Sequence, residues 1–118
     1  VVALGHFCSG AMTNDKALLD ELMNAADVAG ERLWQLPTFD EYRSLNKSRF
    51  ADLKNSGGRY GHGIIGGVFL QEFVGDTPWV HLDIAGTAYT ASAGDMQPAG
   101  GTGAMTRTIV EFVSSRSE

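Results

Sequence analysis

Residues 79–87, Trp79-Val80-His81-Leu82-Asp83-Ile84-Ala85-Gly86-Thr87, constrain the fold of this chain more than any other stretch. Apolar and polar side chains alternate, then give way to small ones. Successive side chains of a strand point to opposite faces, so Val80, Leu82 and Ile84 share one face and Trp79, His81 and Asp83 the other. A strand is predicted here, carrying an imidazole beside a carboxylate and running into a turn of small residues. A second apolar run, Val1-Val2-Ala3-Leu4 before Gly5, reads as the tail of another buried strand.

Helical signals fill much of the remainder. Thr13-Asn14-Asp15 supplies N-cap chemistry, and Leu18, Leu22, Ala25, Ala26 and Ala29 form one continuous face that ends at Gly30. The preceding residues 6–12 read as a loop. Leu33-Trp34-Gln35-Leu36 reads as a short extended segment, because the residue before Pro37 is held out of the helical region. Thr38 is placed to cap a short helix over 39–43, and the polar, turn-prone run 46–60 reads as a long loop. A further helix is predicted over 63–73, with Ile64, Ile65, Val68, Phe69 and Phe73 on one side. Its glycines each cost about 1 kcal/mol against alanine, which implies another backbone close by. Residues 87–103 read as irregular. The last helix spans 104–113, with Met105, Ile109, Phe112 and Val113 on its apolar side. Two strand candidates are too few to bury both apolar runs, so upstream chain or partner subunits are expected to supply more.

Composition removes several functional classes. Only 9 basic residues stand against 14 acidic ones in 118 positions, giving a net charge of −5 and no cluster to grip phosphates; no nucleic-acid partner is expected. No apolar run approaches the roughly 20 residues of a membrane helix. The single cysteine, Cys8, cannot form an internal disulfide, which fits a cytoplasmic location. The opening Val-Val-Ala-Leu-Gly has neither an initiator methionine nor the positive flank of a signal peptide, so the chain is expected to be a segment of a longer protein.

The chemical signals are individually weak. His81 and Asp83 are a common ligand pair for divalent metals, and His6 or His62 could join them, but no HExxH or paired CxxC motif is present. The plainer alternative has Asp83 accepting hydrogen bonds from a neighbouring loop and His81 as a partly buried histidine. Gly100-Gly101-Thr102-Gly103 precedes a helix as a phosphate loop does, yet lacks the Gly-Lys-Ser/Thr ending, and reads as a glycine turn that lets the last helix pack. Residues 57–63 have the wrong spacing for a dinucleotide fingerprint. Cys8 as a nucleophile would need a base, and free cysteines are mostly buried and inert. Ser9 lacks the G-x-S-x-G elbow.

An ordered set of segments nonetheless resembles the leucyl (cytosol) aminopeptidase family. It comprises Val-Val-Ala-Leu-Gly (1–5), Ser-Gly-Ala-Met-Thr-Asn-Asp (9–15), Leu-Trp-Gln-Leu-Pro (33–37) followed by Tyr42, Ala-Asp-Leu-Lys-Asn (51–55), Gly-Gly-Arg (57–59), Phe-Leu-Gln-Glu-Phe-Val (69–74), Trp-Val-His-Leu-Asp-Ile-Ala-Gly-Thr-Ala (79–88) and Gly-Thr-Gly-Ala-Met-Thr-Arg-Thr-Ile-Val-Glu-Phe (101–112). The resemblance implies an α/β fold, residues 1–118 being the C-terminal portion of one catalytic domain with a mixed central sheet flanked by helices. It implies an exopeptidase that removes N-terminal residues, leucine preferentially, from peptides, using two divalent metal ions, zinc or manganese, in a homo-hexamer of the complete enzyme. The metal-ligand segment would lie upstream, so no metal is expected on this chain alone and it is expected to be inactive by itself.

Carried over residue by residue, Ala85 and Ala88 match positions that line the pocket for the substrate's first side chain, with Gly86 and Thr87 shaping the turn. His81 and Asp83 are not ligands in the resemblance. The stretch 60–67 is glycine-richer than the family's usual helix start, and His62 is a departure. Two rival readings stay open: a small self-contained metal hydrolase using His81 and Asp83, and a non-catalytic interaction or structural module derived from an aminopeptidase.

Overall fold

The computed structural model describes residues 1, 3–46, 61–94 and 97–116. Its centre is a strand of small residues, β1 (Ser9–Thr13), flanked by β2 (Leu33–Gln35), which runs parallel to it, and β3 (Val80–Asp83), which runs antiparallel. Ser9 stands opposite Leu33, Ala11 opposite Leu82 and Met12 opposite His81. The sheet is therefore mixed, as the resemblance implies. β1 overturns the expectation of a loop at 6–12. Ser-Gly-Ala-Met-Thr carries no alternation of large apolar and polar residues: Met12 is its one large side chain, fully buried, and a Cβ on Gly10 would come within 2.8 Å of Leu36 Cδ1.

The apolar run at 1–5 is not a strand. Gly5 N–H donates to the Val1 carbonyl at 2.7 Å and closes a turn, and among the described residues no strand lies beside it to complete a ladder. β3 keeps the face assignment predicted from its alternation, but all four residues are half-buried rather than enclosed.

α1 (Lys16–Ala29) follows β1. Asp15 caps it by accepting the Leu18 N–H at 3.1 Å, and Gly30, at φ 74°, ends it in the left-handed region where a Cβ is unfavourable. The cap region also positions β3: Asn14 Oδ1 accepts the Trp79 N–H at 2.8 Å, and Thr13 Oγ1 donates to the Trp79 carbonyl at 2.7 Å. Leu22, Ala25 and Ala26 of the predicted face are buried in the core, joined by Leu19, while Leu18 and Ala29 are half-buried. α4 (Thr106–Arg116) packs along α1. Between them and the sheet lies the main core of Ala11, Leu19, Leu22, Ala26, Leu33 and Met105, with Val80, Leu82, Ile84 and Phe112 against it.

The opposite sheet face is covered by α3 (His62–Gln71), which in turn contacts the short helix α2 (Asp40–Ser44). Thr38 does not cap α2; Phe39 occupies the N-cap position without a side-chain bond. Two glycines of α3 admit side chains rather than another backbone: a Cβ on Gly67 would strike Met12 Sδ, and one on Gly63 would lie 2.6 Å from Asp83 Oδ2, while Gly66 faces open space. Phe73 falls beyond the helix and is exposed. Buried Asn46 donates from Nδ2 to the Ile65 carbonyl at 3.2 Å; the rest of the predicted loop, 47–60, lies outside the described residues. The stretch expected to be irregular contains a small antiparallel pair, β4 (Tyr89–Thr90) with β5 (Gly100–Gly101). Among the described residues no helix is long and apolar enough to cross a membrane.

Candidate functional site

β3 stops at Asp83 because its own carboxylate folds the chain back: Oδ1 accepts the Ala85 N–H at 3.0 Å, in the manner of an Asx turn. The Ile84 carbonyl then accepts N–H groups from both Thr87 (3.0 Å) and Ala88 (2.9 Å). The four residues proposed from the resemblance, Ala85, Gly86, Thr87 and Ala88, thus form one tight turn at the end of β3. Ala85 is exposed, Gly86 buried, Thr87 and Ala88 half-buried. Gly86 is required by space: a Cβ there would collide with the Gly5 carbonyl oxygen.

The turn's outward carbonyls are held by distant residues. His6 donates from Nδ1 to the Gly86 carbonyl at 2.7 Å, Thr102 Oγ1 to the Thr87 carbonyl at 2.5 Å, and Thr102 N–H to the Ala88 carbonyl at 2.9 Å. The Ser9 and Thr87 hydroxyls are bonded at 2.6 Å. By sequence, His6 is weighed as a metal ligand and Ser9 as a nucleophile; their partners sit 80 and 78 positions away in the chain, a separation that no local pattern reveals.

Two hollows meet at this turn, and Gly86 borders both. One, of about 260 Å³, is lined mainly by small and apolar groups, including Ala3, Leu4, Leu36, Ile64, Ala85 and Gly86. The other, of about 810 Å³, is a wider cleft with a polar margin that includes His6, Glu31, Arg32, Thr87, Thr102 and Arg107. Ala88 lines neither.

His81 and Asp83 do not combine into a metal centre. Among the described residues no three His, Cys, Asp or Glu side chains converge to hold an ion, so the donor set does not fit the two-metal site of the resemblance. His81 is stacked on Trp79 at a ring separation of 6.2 Å. Burial lowers its pKa from the usual 6.5, with the Asp83 carboxylate opposing, so the ring is neutral at pH 7. Half-buried Cys8 points its Sγ to the Ser9 carbonyl at 3.3 Å.

The glycine loop before α4 has a specific arrangement that the sequence did not disclose. Glu31 reaches across the molecule and accepts the Met105 N–H (2.8 Å), the Thr108 N–H (3.0 Å) and the Thr108 hydroxyl (2.9 Å). A helix N-terminus attracts anions through its free N–H groups and dipole. Here the protein's own carboxylate fills the place that a phosphate would take. Gly103, at φ 66°, and Met105, at φ 68°, bend the loop into this position.

Residues 1–110 match the cytosol aminopeptidase family, catalytic domain. Among solved structures, the chain is similar to the bottromycin maturation enzyme BotP, with 37% identity, a TM-score of 0.90 and coverage of 98% of this chain and 26% of that one. It is likewise similar to BotP in complex with Mn, with 38% identity, a TM-score of 0.91 and coverage of 100% of this chain and 26% of that one. The chain spans about a quarter of the length of these structures. A match over nearly the whole sequence, together with the mixed sheet and its flanking helices, shows that this chain belongs to the cytosol aminopeptidase family, within the family's catalytic domain.

Proposed function

We propose that this chain is the C-terminal part of the catalytic domain of a metal-dependent aminopeptidase that removes N-terminal residues, leucine preferentially, from peptides. The observation that carries the reading is the match of residues 1–110 to the aminopeptidase catalytic domain. In this reading the chain supplies sheet, covering helices and one wall of the substrate pocket. The divalent ions, zinc or manganese, belong to residues outside it. The complete enzyme acts in the cytoplasm as a homo-hexamer.

The hollow bordered by Ala85 and Gly86 suits this role. At about 260 Å³ it lies just below the range of about 300–1,000 Å³ of pockets for whole small ligands, a size for one side chain of a peptide. Its mainly apolar lining favours an aliphatic group, with His62 and the Asp83 carboxylate on its border. Such a pocket selects by shape, at about 1–3 kcal/mol per methylene.

The full-length protein supplied with manganese or zinc is expected to release leucine from the N-terminus of a leucyl peptide, and Ala85→Phe to raise KM for that substrate about tenfold or more. Release of no amino acid from any unblocked peptide would overturn the reading in favour of a non-catalytic module. Unchanged kinetics in Ala85→Phe would remove Ala85 from the pocket.

A further inference from the structure

We infer that Thr102 is a positioning residue for specificity, holding the 84–88 turn at the place where Ala85 and Gly86 border the pocket; the inference rests on the aminopeptidase reading. The two bonds to the Ile84 carbonyl fix the shape of the turn. They do not fix where it stands. That is decided by groups from outside, and Thr102 provides two of them, its N–H on the Ala88 carbonyl and its hydroxyl on the Thr87 carbonyl.

The hydroxyl has a second duty. While donating to Thr87 it accepts the Ala104 N–H at 3.1 Å, so a single oxygen joins the turn to the start of α4. α4 is itself anchored, because Glu31 grips Met105 and Thr108 and Met105 is buried in the core. A mechanical line therefore runs from Glu31 through the beginning of α4 and Thr102 to the turn. His6 and Ser9 hold the other side. Removing the Thr102 oxygen leaves the Thr87 carbonyl and the Ala104 N–H without partners and loosens that side of the turn, which the Thr102 N–H alone then holds through the Ala88 carbonyl. A wall that selects by shape alone, at about 10- to 200-fold per methylene, is sensitive to such a shift.

The test compares Thr102→Val, which keeps shape and loses the oxygen, with Thr102→Ser, which keeps the oxygen, in the full-length protein loaded with manganese. Leucyl and alanyl p-nitroanilide report kinetics, and amide hydrogen exchange reports the turn. Thr102→Val is expected to lower kcat/KM for the leucyl substrate about tenfold, mainly through KM, and for the alanyl substrate by less than about threefold. Faster exchange is expected at 84–88 and not in α1, and Thr102→Ser is expected to stay within about twofold of wild type. An unchanged leucyl-to-alanyl ratio in Thr102→Val, or an equal fall in kcat for both substrates, overturns the inference. If wild type cleaves neither substrate, the aminopeptidase reading fails and the specificity role falls with it, whatever the exchange at 84–88 shows.

Discussion

Glu31 shows how much of this structure depends on single side chains placed far from their partners. Burial alone would raise its pKa, yet the N–H groups of Met105 and Thr108, the Thr108 hydroxyl and the charge of Arg107 together outweigh it, and the carboxyl titrates below its ordinary 4.5. A carboxylate with a depressed pKa stabilises the fold above the unfolded-state value, and that contribution is lost as pH falls through the folded-state value. Glu31→Gln is therefore expected to cost about 1–2 kcal/mol at pH near 7. The gap from wild type should narrow progressively as pH falls below the ordinary 4.5 and through the lowered folded-state value. Thermal unfolding across that range checks it; a gap that does not depend on pH would mean that charge is irrelevant to the cap. None of this is visible locally, since Glu31 looks like any acidic residue after a helix stop. The small residues of the turn were legible because the resemblance named them, whereas His6, Ser9 and Thr102 carried no signal tying them to it.

The elements differ in legibility for physical reasons. α1 was readable from its periodicity, its Asp15 cap and its Gly30 stop, each a local property of the chain. β1 was not, because a central strand squeezed between helices can be made of small residues, and Ser-Gly-Ala-Met-Thr then looks like a loop. The reverse error arose at 1–5, where an apolar run had strand composition but, among the described residues, no strand to pair with. The β4–β5 pair is two residues long on each side, too short for any pattern to register. α3 is apolar around its circumference, and its buried face carries Ile65 and Val68 of the predicted side together with Gly67, which makes room for Met12. The α1–α4 packing is the largest helix contact in the molecule, and Leu22 lies in it, 6% exposed. Leu22→Ala is expected to cost about 2–5 kcal/mol, measured by urea unfolding of the full-length protein. A cost under about 1 kcal/mol would mean that this layer relaxes around the deletion.

As a whole the molecule is a slab of 49 × 38 × 18 Å with a radius of gyration of 15.5 Å, above the about 13.5 Å of a compact domain of this length. Phe7, Trp34, Phe39 and Phe73 are each more than half exposed. A thin body with large apolar side chains on its surface is suited to being one layer of something larger. Produced alone, the 118-residue chain is expected to bind a hydrophobic dye and to self-associate in light scattering; a monomer that binds no dye would contradict this view of its surface. The Glu31 clasp on α4 also bears on the order of assembly during synthesis. α4 follows every other described element in sequence and so emerges after them. Until it does, Glu31 has nothing to hold, and Leu19, Leu22 and Ala26 have no Met105 or Phe112 above them. Early helices and strands can form as they appear, but the α1 side of the sheet stays uncovered until α4 has been made. A nascent chain halted before α4 would be left open along that layer, so this helix is the step that closes it.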